Sequence, residues 1–240
     1  MTLKKTSRLI QLGVLFLITL SVIYFSSSTM RANAWYFNAK NTLQQKNTTL
    51  TESQIINARE AIEKSLSIEP TQPHYLHIYG YIELLYLQKI YQQPQRYLNE
   101  YESVTYKIEK TLLASTQQRA TWPQTWSLLA YVVSLTEGAN DRVYSYLQHA
   151  IDVGPFELST HLDVIRIALA NWSNLSISFK VLYIEQLKLA VKHGPRFFRV
   201  FDVANEVNNQ QILCLSLKFD DVFSVVRESK TYRKNCLAEK

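Results

Sequence analysis

Few side chains in this sequence combine the types and the spacing that catalysis or metal binding would need. His74 and His77 are three residues apart and could share one face of a helix, which is one ingredient of a metal site. No carboxylate or further histidine at ligand spacing accompanies them. We therefore interpret both as ordinary residues of a helix face, and the sequence predicts neither a metal site nor a cofactor.

Two pairs of carboxylates could in principle support acid–base chemistry. Asp220 and Asp221 are adjacent, and Asp152 lies five positions before Glu157. Catalysis needs two carboxyl groups that face each other across a cleft, and adjacent residues of one helix do not. The sequence also contains no glycine-rich phosphate loop, nucleophile elbow or supported Ser-His-Asp set. We predict that the protein is not an enzyme.

The aromatic residues offer a more specific hypothesis, because the chain has 4 Trp and 15 Tyr. Aromatic side chains could line a groove in which sugar rings stack or a partner peptide docks. The alternative is that several of them, Trp126 above all, fill the hydrophobic core. The candidate residues for contact with a partner or a glycan are Trp122, Trp126, Trp172, Tyr75 and Tyr79.

The chain has two cysteines, Cys214 and Cys236, whose spacing matches no metal or redox motif. In an oxidising compartment they could form a disulfide that pins the C-terminal residues to the last helix. Cys214 also lies in the apolar stretch Ile212-Leu213-Cys214-Leu215, so a buried free thiol is the alternative. The sequence leaves both interpretations open.

The N-terminal segment predicts a membrane anchor. Three basic residues within the first eight precede an uncharged apolar run that begins at Leu9 and ends at Phe25, just long enough to span a hydrocarbon core of ~30 Å. Only Arg31 follows nearby, so the positive charges place the N-terminus in the cytoplasm and the body outside it. A cleaved signal peptide is the alternative, because Ala32-Asn33-Ala34 fits a cleavage pattern, although the run exceeds the usual apolar length.

The body of the chain is predicted to be helical. Only 5 of 240 residues are glycine, no Asn-Gly or Asp-Gly hairpin signal occurs, and apolar positions recur at helical spacing. Thr51 followed by Gln54 resembles a capping box. The predicted helices cover residues 29–45, 51–69, 73–91, 95–118, 122–137, 141–153, 157–170, 177–193, 197–205 and 210–226.

An internal repeat is visible at three predicted helix ends. Each has the order small, apolar, two variable residues, Gly or Glu, Pro, and the three finish at Pro70, Pro155 and Pro195. The segment from Trp126 to Pro155 carries most of a tetratricopeptide pattern. In such arrays a large side chain of one helix fills the groove between small residues of its neighbour. The predicted fold is all-α: a tetratricopeptide-like array of helical hairpins with an N-terminal transmembrane helix.

Several short stretches accompany the anchor in a fixed order along the chain. They are residues 58–70, Pro73-His74-Tyr75-Leu76, Trp122-Pro123-Gln124-Thr125-Trp126, Gly154-Pro155 and Ala170-Asn171-Trp172. This combination, over roughly residues 29–223, resembles the VpsP family, which is associated with bacterial exopolysaccharide biosynthesis. The family offers no catalytic residues to carry over, so the resemblance implies a role in that pathway without a mechanism.

With this resemblance, we expect a single-pass protein of the bacterial inner membrane. Residues 1–8 would be cytoplasmic, 9–28 would span the membrane, 29–226 would form a periplasmic helical-repeat domain and 227–240 would be a flexible tail. The expected function is a scaffold or accessory protein that contacts protein components of a polysaccharide synthesis or export complex. The alternative is a polysaccharide-binding or polysaccharide-modifying protein that uses exposed aromatics. The net charge of +6 comes without any nucleic-acid-binding signature, so no nucleic acid partner is expected.

Overall fold

The computed structural model describes residues 2–44, 50–90 and 98–237, with side chains for 10–44, 50–89 and 100–237. These residues form helices joined by short connections and contain no strand, so the all-α prediction is confirmed. The chain divides into two compact units, Met1–Gln92 and Gln93–Lys240. The helical-repeat domain over residues 29–226 stays a prediction from the sequence. The structure places the boundary after Gln92, at a segment outside the described residues.

The described residues of unit 1 form α1 (Thr2–Leu43), α2 (Glu52–Ile68) and α3 (Pro73–Ile90). The 42 residues of α1 continue without a break from the apolar run into the body, as the sequence predicted. From Ile10 to Leu43 this helix is long and apolar enough to cross a membrane. Its apolar side chains between Ile10 and Phe25 are exposed.

Small residues bring α2 close to α1. Ala58 and Ala61 of α2 and Ala32 of α1 belong to one buried cluster, and the Ser65 hydroxyl donates a hydrogen bond of 2.9 Å to the Ala32 carbonyl. The predicted capping box at Thr51 is confirmed, because the Gln54 amide donates to Thr51 Oγ1 and the Thr51 amide donates to Gln54 Oε1. Capping satisfies backbone donors that the first turn leaves unpaired.

Unit 2 contains the rest of the described chain. Its longer helices are α4 (Leu98–Gln118), α5 (Pro123–Glu137), α6 (Asp141–Val153), α7 (Leu158–Ala170), α8 (Ile177–Val191), α9 (Arg199–Glu206) and α10 (Gln210–Lys218). Sequence neighbours such as α5 and α6, or α7 and α8, pack together, and alternate helices also pack, α5 with α7 and α7 with α9. Contacts between alternate helices are typical of a stack of helical hairpins.

The C-terminal end of unit 2 departs from the sequence prediction. A single helix over 210–226 was predicted, but α10 ends at Lys218, and α11 (Ser224–Glu228) and α12 (Lys230–Tyr232) follow after a turn. Asp220 stabilises that turn, because its carboxylate accepts a hydrogen bond of 3.0 Å from the Val222 amide. The tail that the sequence predicted to be flexible from residue 227 is helical through Leu237, and Tyr232 is buried.

Candidate partner-binding surface

The candidate aromatic residues fall into both units, and the two in unit 1 belong to its core. Tyr75 is 1% exposed, its hydroxyl donates a hydrogen bond of 3.0 Å to Asn33 Oδ1, and its ring lies 5.3 Å from that of Tyr36. Tyr79 is half-buried and packs against the same cluster. The prediction of Tyr75 as a contact residue is therefore wrong, because α1 and α2 cover its side chain.

Trp126 also serves the packing of its own hairpin. Its indole nitrogen donates a hydrogen bond of 2.7 Å to the carbonyl of Ala120, and its ring centroid lies 5.0 Å from His149 and 6.0 Å from Tyr146 on α6. Trp122 is half-buried next to Arg119, whose guanidinium carbon is 5.1 Å from the ring centroid. Trp126 therefore packs against α6 but is only half-buried, so it does not fill the core as the alternative proposed, and its role as a contact residue stays a prediction.

Trp172 is the candidate residue that the structure brings to a cleft. It lies in a short 3-10 turn, Trp172–Asn174, directly after α7, and its ring meets the buried ring of Tyr183 edge to face with 5.4 Å between centroids. The remaining part of the side chain faces a cavity of 410 Å³, which we call the α8–α10 cleft. The cleft is lined by Trp172, Ile184, Ile212, Leu215, Ser216, Phe219, Asp220 and Phe223.

The rim of the α8–α10 cleft is apolar and exposed. Leu215 on α10 is 54% exposed and Phe219, the residue directly after α10, is 75% exposed, whereas Phe223 is fully buried. On α8, Ile177 and Val181 are also exposed, and together with Ile184 they occupy positions i, i+4 and i+7, which share one side of a helix. The apolar stripe of α8 therefore reaches the cleft at Ile184, and α10 contributes Ile212 and Leu215 with Phe219 directly after it.

The polar groups around the cleft are paired with one another. The Tyr183 hydroxyl donates to Ser216 Oγ over 3.0 Å, and Ser216 Oγ donates to the Ile212 carbonyl over 2.8 Å. Burial raises the pKa of Tyr183 to about 12, so this hydroxyl keeps its proton. Lys188 lies 2.6 Å from the Asp220 carboxylate, and its hydrogen bond is the main reason that the pKa of Asp220 is lowered. The apolar side chains are therefore what remains available for contact.

Two lysines give the rim of the cleft a positive charge. The Lys180 ammonium lies 5.3 Å from the centre of the Trp172 ring, and the Lys218 ammonium lies 5.5 Å from the centre of Phe219. In the described part of the chain neither lysine forms an ion pair with a carboxylate. A ligand with apolar residues for the cleft and acidic residues for its rim would complement this surface.

A disulfide holds the C-terminal residues against α10. Cys214 and Cys236 are bonded, with their Cα atoms 5.5 Å apart, and Gln210 Nε2 donates a hydrogen bond of 2.6 Å to the Asn235 carbonyl nearby. The sequence left open whether Cys214 was paired or buried as a thiol. In the structure it is paired, and the bond fastens one side of the helix whose other residues line the cleft.

The sequence analysis did not identify Leu215, Phe219 or Val181 as candidate residues. Leu and Val at helical spacing are normally core residues, and no single stretch distinguishes an exposed stripe from a buried one. Within the described residues, no group of His, Cys, Asp and Glu side chains is placed to hold a metal ion. His74 and His77 belong to no such group.

Comparison with known proteins adds no assignment. No protein-family model matches the chain, and no curated protein matches it significantly.

Proposed function

We propose that this chain is a membrane-anchored scaffold of bacterial exopolysaccharide biosynthesis and export that binds a protein component of that machinery through the α8–α10 cleft. The observation that carries the proposal is the exposure of Leu215 and Phe219 beside Trp172, in a cleft where Tyr183, Ser216 and Asp220 already have polar partners. Exposed apolar clefts of this kind mark protein interaction sites. The resemblance to the VpsP family supplies the pathway.

The proposed topology has the N-terminus in the cytoplasm, the apolar run of α1 in the membrane, and the rest of unit 1 together with unit 2 in the periplasm. Basic residues before the apolar run of α1 favour this orientation. The disulfide between Cys214 and Cys236 supports it, because disulfides form and persist in oxidising compartments such as the periplasm. The apolar, exposed N-terminal part of α1 would be the anchor in the inner membrane.

The ligand that fits the α8–α10 cleft best is an amphipathic helix of a partner protein. Such a helix places apolar residues at i, i+3, i+4 and i+7 into a groove between two helices. Acidic residues beside its apolar stripe would meet Lys180 and Lys218 on the rim. The partner therefore carries an acidic amphipathic helix, and the scaffold holds it by apolar burial with electrostatic orientation.

The test compares two cleft variants with one control in the full-length protein. Leu215→Asp and Phe219→Asp place a charge in the cleft, and Phe156→Asp places one at an equally exposed aromatic residue of unit 2, where Phe156 is 82% exposed. The tagged protein is crosslinked in its native membrane to capture polysaccharide synthase or exporter subunits. Each captured subunit is then purified, and its affinity for wild type and for each variant is measured directly. The cleft variants should weaken that binding by at least about tenfold and the control should not.

Two results would overturn the proposal. Equal binding of all three variants to the purified subunit would show that the cleft is not its site. The second result is that no subunit binds, whereas purified polysaccharide binds wild type directly and does not bind the cleft variants. That result would assign the surface to a glycan that stacks on Trp172.

A further inference from the structure

A second cavity lies in unit 1, where the apolar part of α1 meets the end of α2. It has a volume of 570 Å³, and we call it the α1–α2 pocket. Its lining residues are Leu20, Ile23, Tyr24, Ser27, Ser28, Arg31, Ser67 and Ile68. Six of these residues belong to α1 and two to α2.

The polarity of the α1–α2 pocket changes along the axis of α1. The six α1 residues are spaced three, four and seven apart, so they lie on one face of the helix. Leu20, Ile23 and Tyr24 form its apolar end, whereas Ser27, Ser28 and Arg31 form its polar end. At 1.5 Å of rise per residue, this face extends over about 16 Å. The change from apolar to polar matches the passage from acyl chain to headgroup in one membrane leaflet.

The polar end of the pocket is held in place by contacts between α1 and the end of α2. Thr29 Oγ1 donates a hydrogen bond of 2.5 Å to a carboxylate oxygen of Glu69, and Ser65 Oγ donates one of 2.9 Å to the Ala32 carbonyl. These bonds fix Ser67, which lies between residues 65 and 69, beside the same turn of α1 as Ser28 and Arg31. The Ser67 hydroxyl itself donates a hydrogen bond of 2.8 Å to the Lys64 carbonyl, so the hydroxyl donors that the pocket offers to a ligand are those of Ser27 and Ser28.

Arg31 supplies the charge of the pocket. Its side chain is exposed, and among the described residues it forms no ion pair. A guanidinium group binds phosphate oxygens through two parallel N–H donors, and neighbouring serine hydroxyls can donate to the same group. The pocket thus combines an unpaired cation, hydroxyl donors and an apolar wall.

We propose that the α1–α2 pocket binds one anionic phospholipid of the leaflet nearest the body. Its phosphate would lie between Arg31 and the hydroxyls of Ser27 and Ser28, and an acyl chain would lie along Leu20 and Ile23. A free phosphate would fill the polar end alone and leave the apolar end open. This inference rests on the insertion of α1 in a membrane, which is part of the proposed function, but not on the α8–α10 cleft.

The first experiment measures lipid retained by the full-length protein in mild detergent by native mass spectrometry. Phosphatidylglycerol, phosphatidylcholine and glycerol 3-phosphate are added separately, with Arg31→Gln as the test variant and Arg196→Gln as a control for loss of an exposed arginine in unit 2. Wild type and control should retain phosphatidylglycerol preferentially. Arg31→Gln should retain about fivefold less phosphatidylglycerol than wild type, as expected for the loss of one basic residue near an anionic lipid.

A second variant tests the apolar end. Leu20→Trp places a fluorophore in the pocket wall, in a Trp35→Phe background that removes the other tryptophan of unit 1. Phosphatidylglycerol with brominated acyl chains should quench it more strongly than brominated phosphatidylcholine, and Arg31→Gln should remove the difference. Equal quenching by both lipids, or full displacement by glycerol 3-phosphate, would overturn the lipid site.

The failure of this inference can be separated from the failure of the proposed function. Release of the protein from membranes by alkaline carbonate would show that α1 is not inserted, and both proposals would lose the anchor. Retention of the protein in membranes together with no lipid preference would overturn the α1–α2 pocket alone. Subunit binding by Arg31→Gln, measured as for the cleft variants, should remain at the wild-type level.

Discussion

Gly154, which follows α6, lies directly against the ring of Pro123 at the first position of α5. A β-carbon built on Gly154 would come 2.5 Å from Pro123 Cγ and 2.6 Å from Pro123 Cβ. No side chain can occupy that space unless one of the two segments moves. The sequence stretches Trp122-Pro123 and Gly154-Pro155, which are far apart along the chain, thus meet at the base of the α5–α6 hairpin.

Gly154→Ala should therefore destabilise unit 2. Overpacking of a closed site costs about 1–3 kcal/mol, and the free energy of unfolding should fall by that amount. Urea denaturation followed by tryptophan fluorescence in a Trp35→Phe background reports on unit 2, because the remaining tryptophans are Trp122, Trp126 and Trp172.

Gly194→Ala provides the contrast for this measurement. Gly194 has a φ of 60° and open space around the position of a β-carbon. Alanine there should lower the free energy of unfolding by about 1–2 kcal/mol through backbone strain, without a steric clash. If Gly154→Ala had the same denaturation midpoint as wild type, Gly154 and Pro123 would leave room for a β-carbon, and the prediction would be contradicted.

The hydrogen bond from Tyr75 to Asn33 joins α3 to α1 within unit 1. Tyr75→Phe removes the donor and leaves the buried ring in place, so unfolding should become easier by about 0.5–1.5 kcal/mol. Tyr106→Phe is the matched control, because Tyr106 is 67% exposed. Thermal unfolding in detergent is measured for both variants, for Asn33→Ala and for the double variant Tyr75→Phe with Asn33→Ala. This double-mutant cycle gives the coupling energy between Tyr75 and Asn33. A coupling energy of zero would contradict the bond.

Loss of the disulfide should loosen the C-terminal residues of unit 2. Cys214 and Cys236 are 22 positions apart, and a crosslink over such a loop stabilises by about 2–4 kcal/mol. The double variant Cys214→Ser with Cys236→Ser should lose this amount in urea denaturation. Reductant should lower the midpoint of the wild type and leave that of the double variant unchanged. A wild-type midpoint insensitive to reductant would contradict the prediction.

Unit 1 should lose stability in mild acid because of His77. Burial, the larger cause, and the neighbouring His74 lower the pKa of His77 to about 4. His77 takes up a proton near pH 6.5 in the unfolded chain but only near pH 4 in the folded chain. The stability that neutral His77 contributes is therefore fully present above about pH 6.5 and is lost as the pH falls towards 4.

His77→Gln should flatten this dependence. The melting temperature of the wild type, followed by circular dichroism, should fall between pH 7.5 and pH 5 more steeply than that of His77→Gln. His149→Gln in unit 2 controls for the replacement of a histidine by glutamine elsewhere in the chain. Parallel slopes for wild type and His77→Gln would show that folding does not lower the pKa of His77.

Local signals in the sequence determined the helices. The boundaries of α6, the continuity of α1 and the capping box at Thr51 follow from periodicity, capping residues and prolines, which act over a few neighbouring residues. The end of α10 was mispredicted because the turn at Asp220 depends on a carboxylate that accepts a hydrogen bond from the Val222 amide two residues later, which helical periodicity does not reveal.

The exposure of the candidate surface was decided only by the tertiary structure. Leu213 and Leu217 of α10 are fully buried, whereas Leu215 of α10 and Phe219 directly after it are exposed, although all four are apolar in the sequence. Likewise Tyr75 is covered while Trp172 borders a cleft. The sequence by itself determined that this protein is helical, that its first helix can span a membrane, and that aromatic residues abound. Which of them face solvent depends on which distant helices pack on each side, and that is a property of the folded chain.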